Sequence, residues 1–224
     1  PSAIRLLESA RVVFWIGPEL ERPLAELLER MPGRRDIALL PRMPPAAIAA
    51  DADPHVWLDP RLAVAIAESM AAVLIERGIA EEPLLQSRLE AFIASMESAE
   101  WNMRQELNGL ERVPFMVMHD GYGYFVRRFS LNQVLALGPD AERQPGARAV
   151  SRMRQSALDS AAVCLLRESN SNRRLADLLA EGTAMRIREV DPLALSLAAD
   201  DADFAAFLTD FTRTVAGCLR GPAS

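Results

Sequence analysis

Asp53-Pro54-His55-Val56-Trp57-Leu58-Asp59-Pro60 is the stretch on which the reading of the whole chain turns. Two prolines bend the backbone there in advance, and between them stands one of only two histidines in 224 residues. The second, His119, opens His119-Asp120-Gly121-Tyr122-Gly123-Tyr124-Phe125, directly after the apolar run Phe115-Met116-Val117-Met118. It therefore falls where a strand gives way to a loop and helix. Loops held by a rigid scaffold carry function disproportionately, and neutral imidazole is the commonest nitrogen ligand of metals. Either histidine alone reads as a residue that hydrogen-bonds its own loop. Two in like settings shift the reading toward a shared ion.

The flanking sequence supports an alternation of strands and helices. Asp59-Pro60 starts a helix, with Asp as cap, Pro at the first helical position and Leu62, Ile66, Met70, Val73 and Leu74 as the apolar stripe. Gly78 stops it. Upstream, Ser2 is expected to cap a first helix to about Ala10, residues 11–16 read as a buried strand and 37–40 as a second short strand. Between those strands a helix is expected from about Pro18 to Arg30, and Pro41–Asp53 reads as an irregular connection. Downstream, Leu85, Leu89, Phe92, Met96, Met103 and Leu107 recur at helical spacing from Pro83 to about Asn108. Such a helix would be roughly 39 Å long, longer than a lobe of about 100 residues, and so reads as a rigid strut.

After the strut, strands are predicted near residues 113–118, 133–137, 162–166 and 185–190, with helices near 122–129, 148–160, 171–181 and 202–219. The fold class is therefore α/β: two lobes with mostly parallel sheets flanked by helices, joined by one long helix. The expected division is an N-terminal lobe over 1–82, a linking helix over 83–110 and a C-terminal lobe over 111–224. Ligands of such sheets bind beyond the carboxyl ends of strands, where His119 and Asp191 both fall. Asp191 follows Ile187-Arg188-Glu189-Val190 and is the carboxylate that could join the two imidazoles.

Composition bounds what the chain can partner. Half of the residues are apolar, enough for a sizeable core, and the formal net charge of −6 argues against nucleic acid or an anionic membrane surface. The longest apolar candidate for a membrane span, Leu62–Ile75, is too short and contains Glu68. No Gly-rich phosphate loop, His-Glu-x-x-His helix or Gly-x-Ser-x-Gly elbow occurs, so no catalytic residues are assigned. A metal-dependent hydrolase using Asp120 or Asp191 as base is the weaker reading. Asp120 could orient an imidazole or cap the following helix. Asp200, Asp201 and Asp203 read as a solvated helix start, and Trp57 as packing beneath its loop. Cys164 and Cys218 could pair or be two buried thiols, and composition favours the thiols.

Taken in order, Asp53–Pro60, His119–Phe125, Gln144-Pro145-Gly146-Ala147 and Asp191-Pro192-Leu193 resemble the zinc-binding ZnuA-type solute-binding proteins of bacterial ABC importers. Val12–Glu19 resembles that family's first-lobe strand and turn. The resemblance implies a non-enzymatic, monomeric periplasmic carrier that holds Zn²⁺ between two lobes and delivers it to an inner-membrane permease. It matches His55 to the first-lobe ligand, His119 to the second-lobe ligand and Asp191 to the acidic position near the site. Manganese-binding relatives share this layout, so Mn²⁺ stands as the alternative ion, and a degenerate copy of reduced affinity as the alternative protein. The resemblance also implies a Cys164–Cys218 disulfide and an oxidising compartment.

Three departures from the family pattern accompany this. A further histidine is expected upstream of a segment that this chain enters at Pro1-Ser2, which reads as an N-terminal shortening. Pro41–Asp53 holds no histidine where zinc-specific members carry a histidine-rich loop. Arg167-Glu168-Ser169-Asn170 replaces a Glu-Pro-Gln-like turn, and Ala194 stands where Gly is common.

Overall fold

The computed structural model describes residues 2–31, 33, 35–45, 48, 53–137, 145–195 and 203–221. Pro1, Gln144, Asp200, Asp201 and much of the 41–53 connection lie outside the described residues. The chain forms two compact units, Pro1–Glu97 and Ser98–Ser224.

In the first unit, helix α1 (Ser2–Ser9) leads to strand β1 (Val13–Trp15), which pairs in parallel with β2 (Asp36–Ala38), Phe14 opposite Ile37. Helix α2 makes the crossover between them, but over Arg22–Arg30, not from Pro18. The delay has a local cause. Glu21 turns its carboxylate back to accept from the amides of Ile16 (2.8 Å) and Gly17 (3.2 Å), so residues 18–20 form a turn and Pro23 takes the first helical turn instead.

Short 3₁₀ turns at Leu40–Arg42 and Val56–Leu58 bracket the connection. Helix α3 (Pro60–Glu76) starts as its sequence dictates: Asp59 accepts from the Arg61 amide at 2.9 Å and Pro60 needs no donor. Leu62 and Val73 are buried on its inner face, while Ile66, Met70 and Leu74 are half-buried. Gly78 ends it in the left-handed region, φ +59°. Helix α4 (Glu82–Leu107, 26 residues) follows, and the boundary of the two units falls within it. Its Met96, Ala99, Met103 and Leu107 are buried at three- and four-residue spacing.

The second unit alternates β3 (Pro114–Val117), α5 (Gly123–Phe129), β4 (Asn132–Ala136), α6 (Ala147–Asp159), β5 (Cys164–Glu168), α7 (Arg173–Ala180), β6 (Arg186–Val190) and α8 (Phe204–Arg220). Its four strands lie in the order β4-β3-β5-β6, all parallel. Strand β5 begins two residues later than the hydrophobic pattern suggests. Ala161 takes a left-handed turn, and the ladder carries on through the polar Arg167 and Glu168, paired with Glu189 and Val190.

Helices cover both faces of this sheet. Met116 and Leu165 pack with Ala157 of α6 and Leu175, Ala176 and Leu179 of α7 in one apolar cluster. Successive strand residues point to opposite faces, so Cys164 is turned the other way, where it is joined to Cys218 of α8. That disulfide closes 54 residues of chain between two side chains at most 1% exposed. Beside it, Arg186 of β6 donates to the Cys218 and Leu219 carbonyls at 2.7–3.2 Å, occupying the last acceptors of α8. Among the described residues, no helix is long and apolar enough to cross a membrane.

Candidate metal centre

The loop carrying His55 is built from its own residues. Pro54 accepts from the Val56 amide at 2.8 Å, Asp59 donates back to the Val56 carbonyl at 3.3 Å, and Val56 and Leu58 are fully buried beneath the turn. Asp53 receives the His55 amide at 3.0 Å and the His55 Nδ1 at 2.8 Å on the same carboxylate oxygen, Oδ1. The two side chains are only 10% and 11% exposed. Trp57 is half-buried and lies against the imidazole, ring centroids 5.2 Å apart, so it packs within its loop.

His119 is placed by the second unit's sheet. Met118 extends β3 by donating to Leu166 of β5 at 2.9 Å, and His119 leaves the strand end immediately after it, half-buried. Helix α5 then starts on Tyr122 without a side-chain cap, and Asp120 is exposed, so Asp120 does not cap it. Tyr122 instead anchors the turn. It is 1% exposed, stacks on Phe211 of α8 (centroids 6.0 Å, 7° between planes) and donates its hydroxyl to Glu168 at 3.0 Å. Burial, then the charge of Glu168 and that hydrogen bond, raise the Tyr122 hydroxyl well above the ordinary tyrosine range.

Asp191 leaves the carboxyl end of β6, on the same sheet edge as His119. One strand, β5, separates their strands, so the two chain positions are roughly 10 Å apart, a gap that an imidazole and a carboxylate sharing an ion could span. Asp191 also shapes its own turn, accepting from the Leu195 amide at 3.0 Å through Oδ1. Within that turn Ala194 sits at φ +53°, a conformation that favours glycine. The turn borders a cavity of ≈ 600 Å³ lined by Ser169, Glu189, Asp191, Phe207 and Asp210 among others. Asp203, at its rim, caps α8 by accepting from Ala205 and Ala206, as expected of a helix start.

Within each unit, among the described residues, no three or more His, Cys, Asp or Glu side chains are gathered so as to hold a metal. Two positions near the histidines went without a role in the sequence. Asp53 stands in the quoted motif, and its Asx-type spacing to His55 was the available signal. Glu168 is 46 residues from Tyr122, and no local pattern could have joined them.

The family model for ZnuA, described as zinc-uptake complex component A, periplasmic, matches residues 1–218. The high-affinity zinc uptake system protein ZnuA of Yersinia pestis is 26% identical, over 98% of this chain and 79% of its own length. A crystal structure of ZnuA superposes with a TM-score of 0.78 at 24% identity, covering 97% of this chain and 83% of that one. The periplasmic zinc-binding protein TroA from Treponema pallidum gives a TM-score of 0.78 at 20% identity, covering 97% and 84%. These two likenesses show a shared α/β fold with parallel sheets flanked by helices.

Proposed function

The chain belongs to the ZnuA family of zinc-uptake components, solute-binding proteins and not enzymes, and on that premise we propose that it captures Zn²⁺ for an ABC permease of the inner membrane. His55 and His119 supply the imidazoles, and Asp191 supplies a carboxylate at or beside the ion. The observation that carries the proposal is the family match along nearly the whole chain, which takes in both histidine motifs. The chemistry agrees, because nitrogen and carboxylate donors together suit a borderline ion such as zinc. The relatives described above are named for zinc, so manganese is not carried forward. A periplasmic location and a monomeric carrier belong to the same proposal.

His55→Ala and His119→Ala test it, with Zn²⁺ affinity read by competition against a chelator. Each is expected to weaken binding at least 100-fold, about 2.7 kcal/mol. Imidazole binds zinc only when deprotonated and ordinarily titrates near pH 6.5, so wild-type affinity is expected to fall as pH drops through that range. Unchanged affinity in either variant removes that histidine from the site.

A further inference from the structure

We propose that Asp53 is a positioning residue, which holds the proton of neutral His55 on Nδ1 and thereby presents Nε2 to the metal. The inference rests on His55 being a ligand, as argued above, but its basis is separate. An ionised carboxylate can only accept, so an Nδ1···Oδ1 separation of 2.8 Å assigns the hydrogen to the ring nitrogen. In the neutral ring this leaves the lone pair on Nε2, the other edge of the imidazole. A ligating histidine held by a carboxylate at its second nitrogen keeps one tautomer and one orientation, and the ligand nitrogen becomes more basic.

Two further features make the arrangement a built one. The same oxygen also receives the His55 amide at 3.0 Å, so the carboxylate is fixed to the backbone of the residue it orients. Pro54 stands between the partners with its φ locked by the ring, and Trp57 bounds the imidazole at 5.2 Å. Rotation of the imidazole about its side-chain bonds would break the Nδ1 contact and push against the indole. An imidazole free in water divides its proton between both nitrogens and samples several rotamers, and each would have to be selected when the ion arrives.

The test uses the full chain, metal-free at pH 8, with His55 assigned by comparison with His55→Ala. Long-range ¹H–¹⁵N spectra report which nitrogen carries the proton, and chelator competition with Zn²⁺ reports affinity. Wild type is expected to show His55 protonated on Nδ1. Asp53→Ala should lose that preference and bind zinc 10- to 100-fold more weakly. Asp53→Asn, which keeps an acceptor oxygen at the same reach, should retain the tautomer and most of the affinity, and it serves if the alanine variant fails to fold. A wild-type ring protonated on Nε2 overturns the proposal, as does an Asp53→Ala variant unchanged in tautomer. Weaker binding with the tautomer intact assigns Asp53 to shaping the loop and also overturns it. Undiminished zinc affinity in His55→Ala would instead sink the ligand assignment, leaving the metal-free spectra to decide the tautomer by themselves.

Discussion

The contacts described around His55 come from within a few residues of chain, whereas those described around His119 reach residues more than forty positions away. Asp53, Pro54, Trp57 and Asp59 all lie within four residues of His55 and fix it through a carboxylate, a locked φ, a ring contact and a capped helix. Met118 and Tyr122, on either side of His119, are instead held by Leu166, Glu168 and Phe211, which the sheet and α8 bring to them. The difference teaches that two candidate ligands of one type can have opposite sensitivities. Damage to the second unit's packing should reach His119 and leave His55 as it was.

The largest effect should come from replacing Cys164 and Cys218 together with serine. Chain entropy over a 54-residue loop gives about 4 kcal/mol of lost stability, read by urea unfolding of the second unit. In the same sample the His119 resonances should shift while those of His55 stay in place; movement of both would break the comparison.

Tyr122→Phe should cost less, about 1 kcal/mol, since one hydrogen bond is lost and the ring still stacks on Phe211. Its pH dependence carries a definite sign. The Tyr122 hydroxyl is raised in the folded protein, so its contribution is fully present below the unfolded value, about 10, and is lost as pH rises through the folded value. The phenylalanine variant should therefore lose less stability above pH 10 than wild type does. Equal losses would mean that the buried Tyr122 hydroxyl is not held in its neutral form by the fold.

The smallest effect sharpens the comparison at the third candidate ligand. Ala194→Gly relieves about 1–2 kcal/mol of left-handed strain but adds about 0.4–1 kcal/mol of unfolded-chain entropy, for a net gain of about 0.5 kcal/mol. Thermal unfolding reads it. A loss instead would mean that the Ala194 methyl packs usefully in the Asp191 turn.

The same division between near and distant contacts explains what was legible in the sequence. Asp59-Pro60 and Gly78 bound α3 where the capping chemistry put them, and the parallel alternation of the second unit followed from its apolar runs. The start of α2 was misplaced because a Glu21 side chain reaching back to Ile16 and Gly17 leaves no periodicity to read. The end of β5 was cut short because Arg167 and Glu168 gain their strand conformation from β6, not from hydrophobicity. At the candidate site, both histidines and Asp191 stood out by type and by place at loop openings. The Tyr122–Glu168 bond did not, because nothing in either residue's neighbourhood names the other.

The Cys164–Cys218 bond is enclosed between β5 and α8, each cysteine at most 1% exposed. An oxidising catalyst must therefore meet these thiols before the last helix docks, while the nascent second unit is still open. Cross-linking before closure is the direct route, and a polypeptide kept reduced should still close, about 4 kcal/mol less stable, with its C-terminal helix opening more often to proteases.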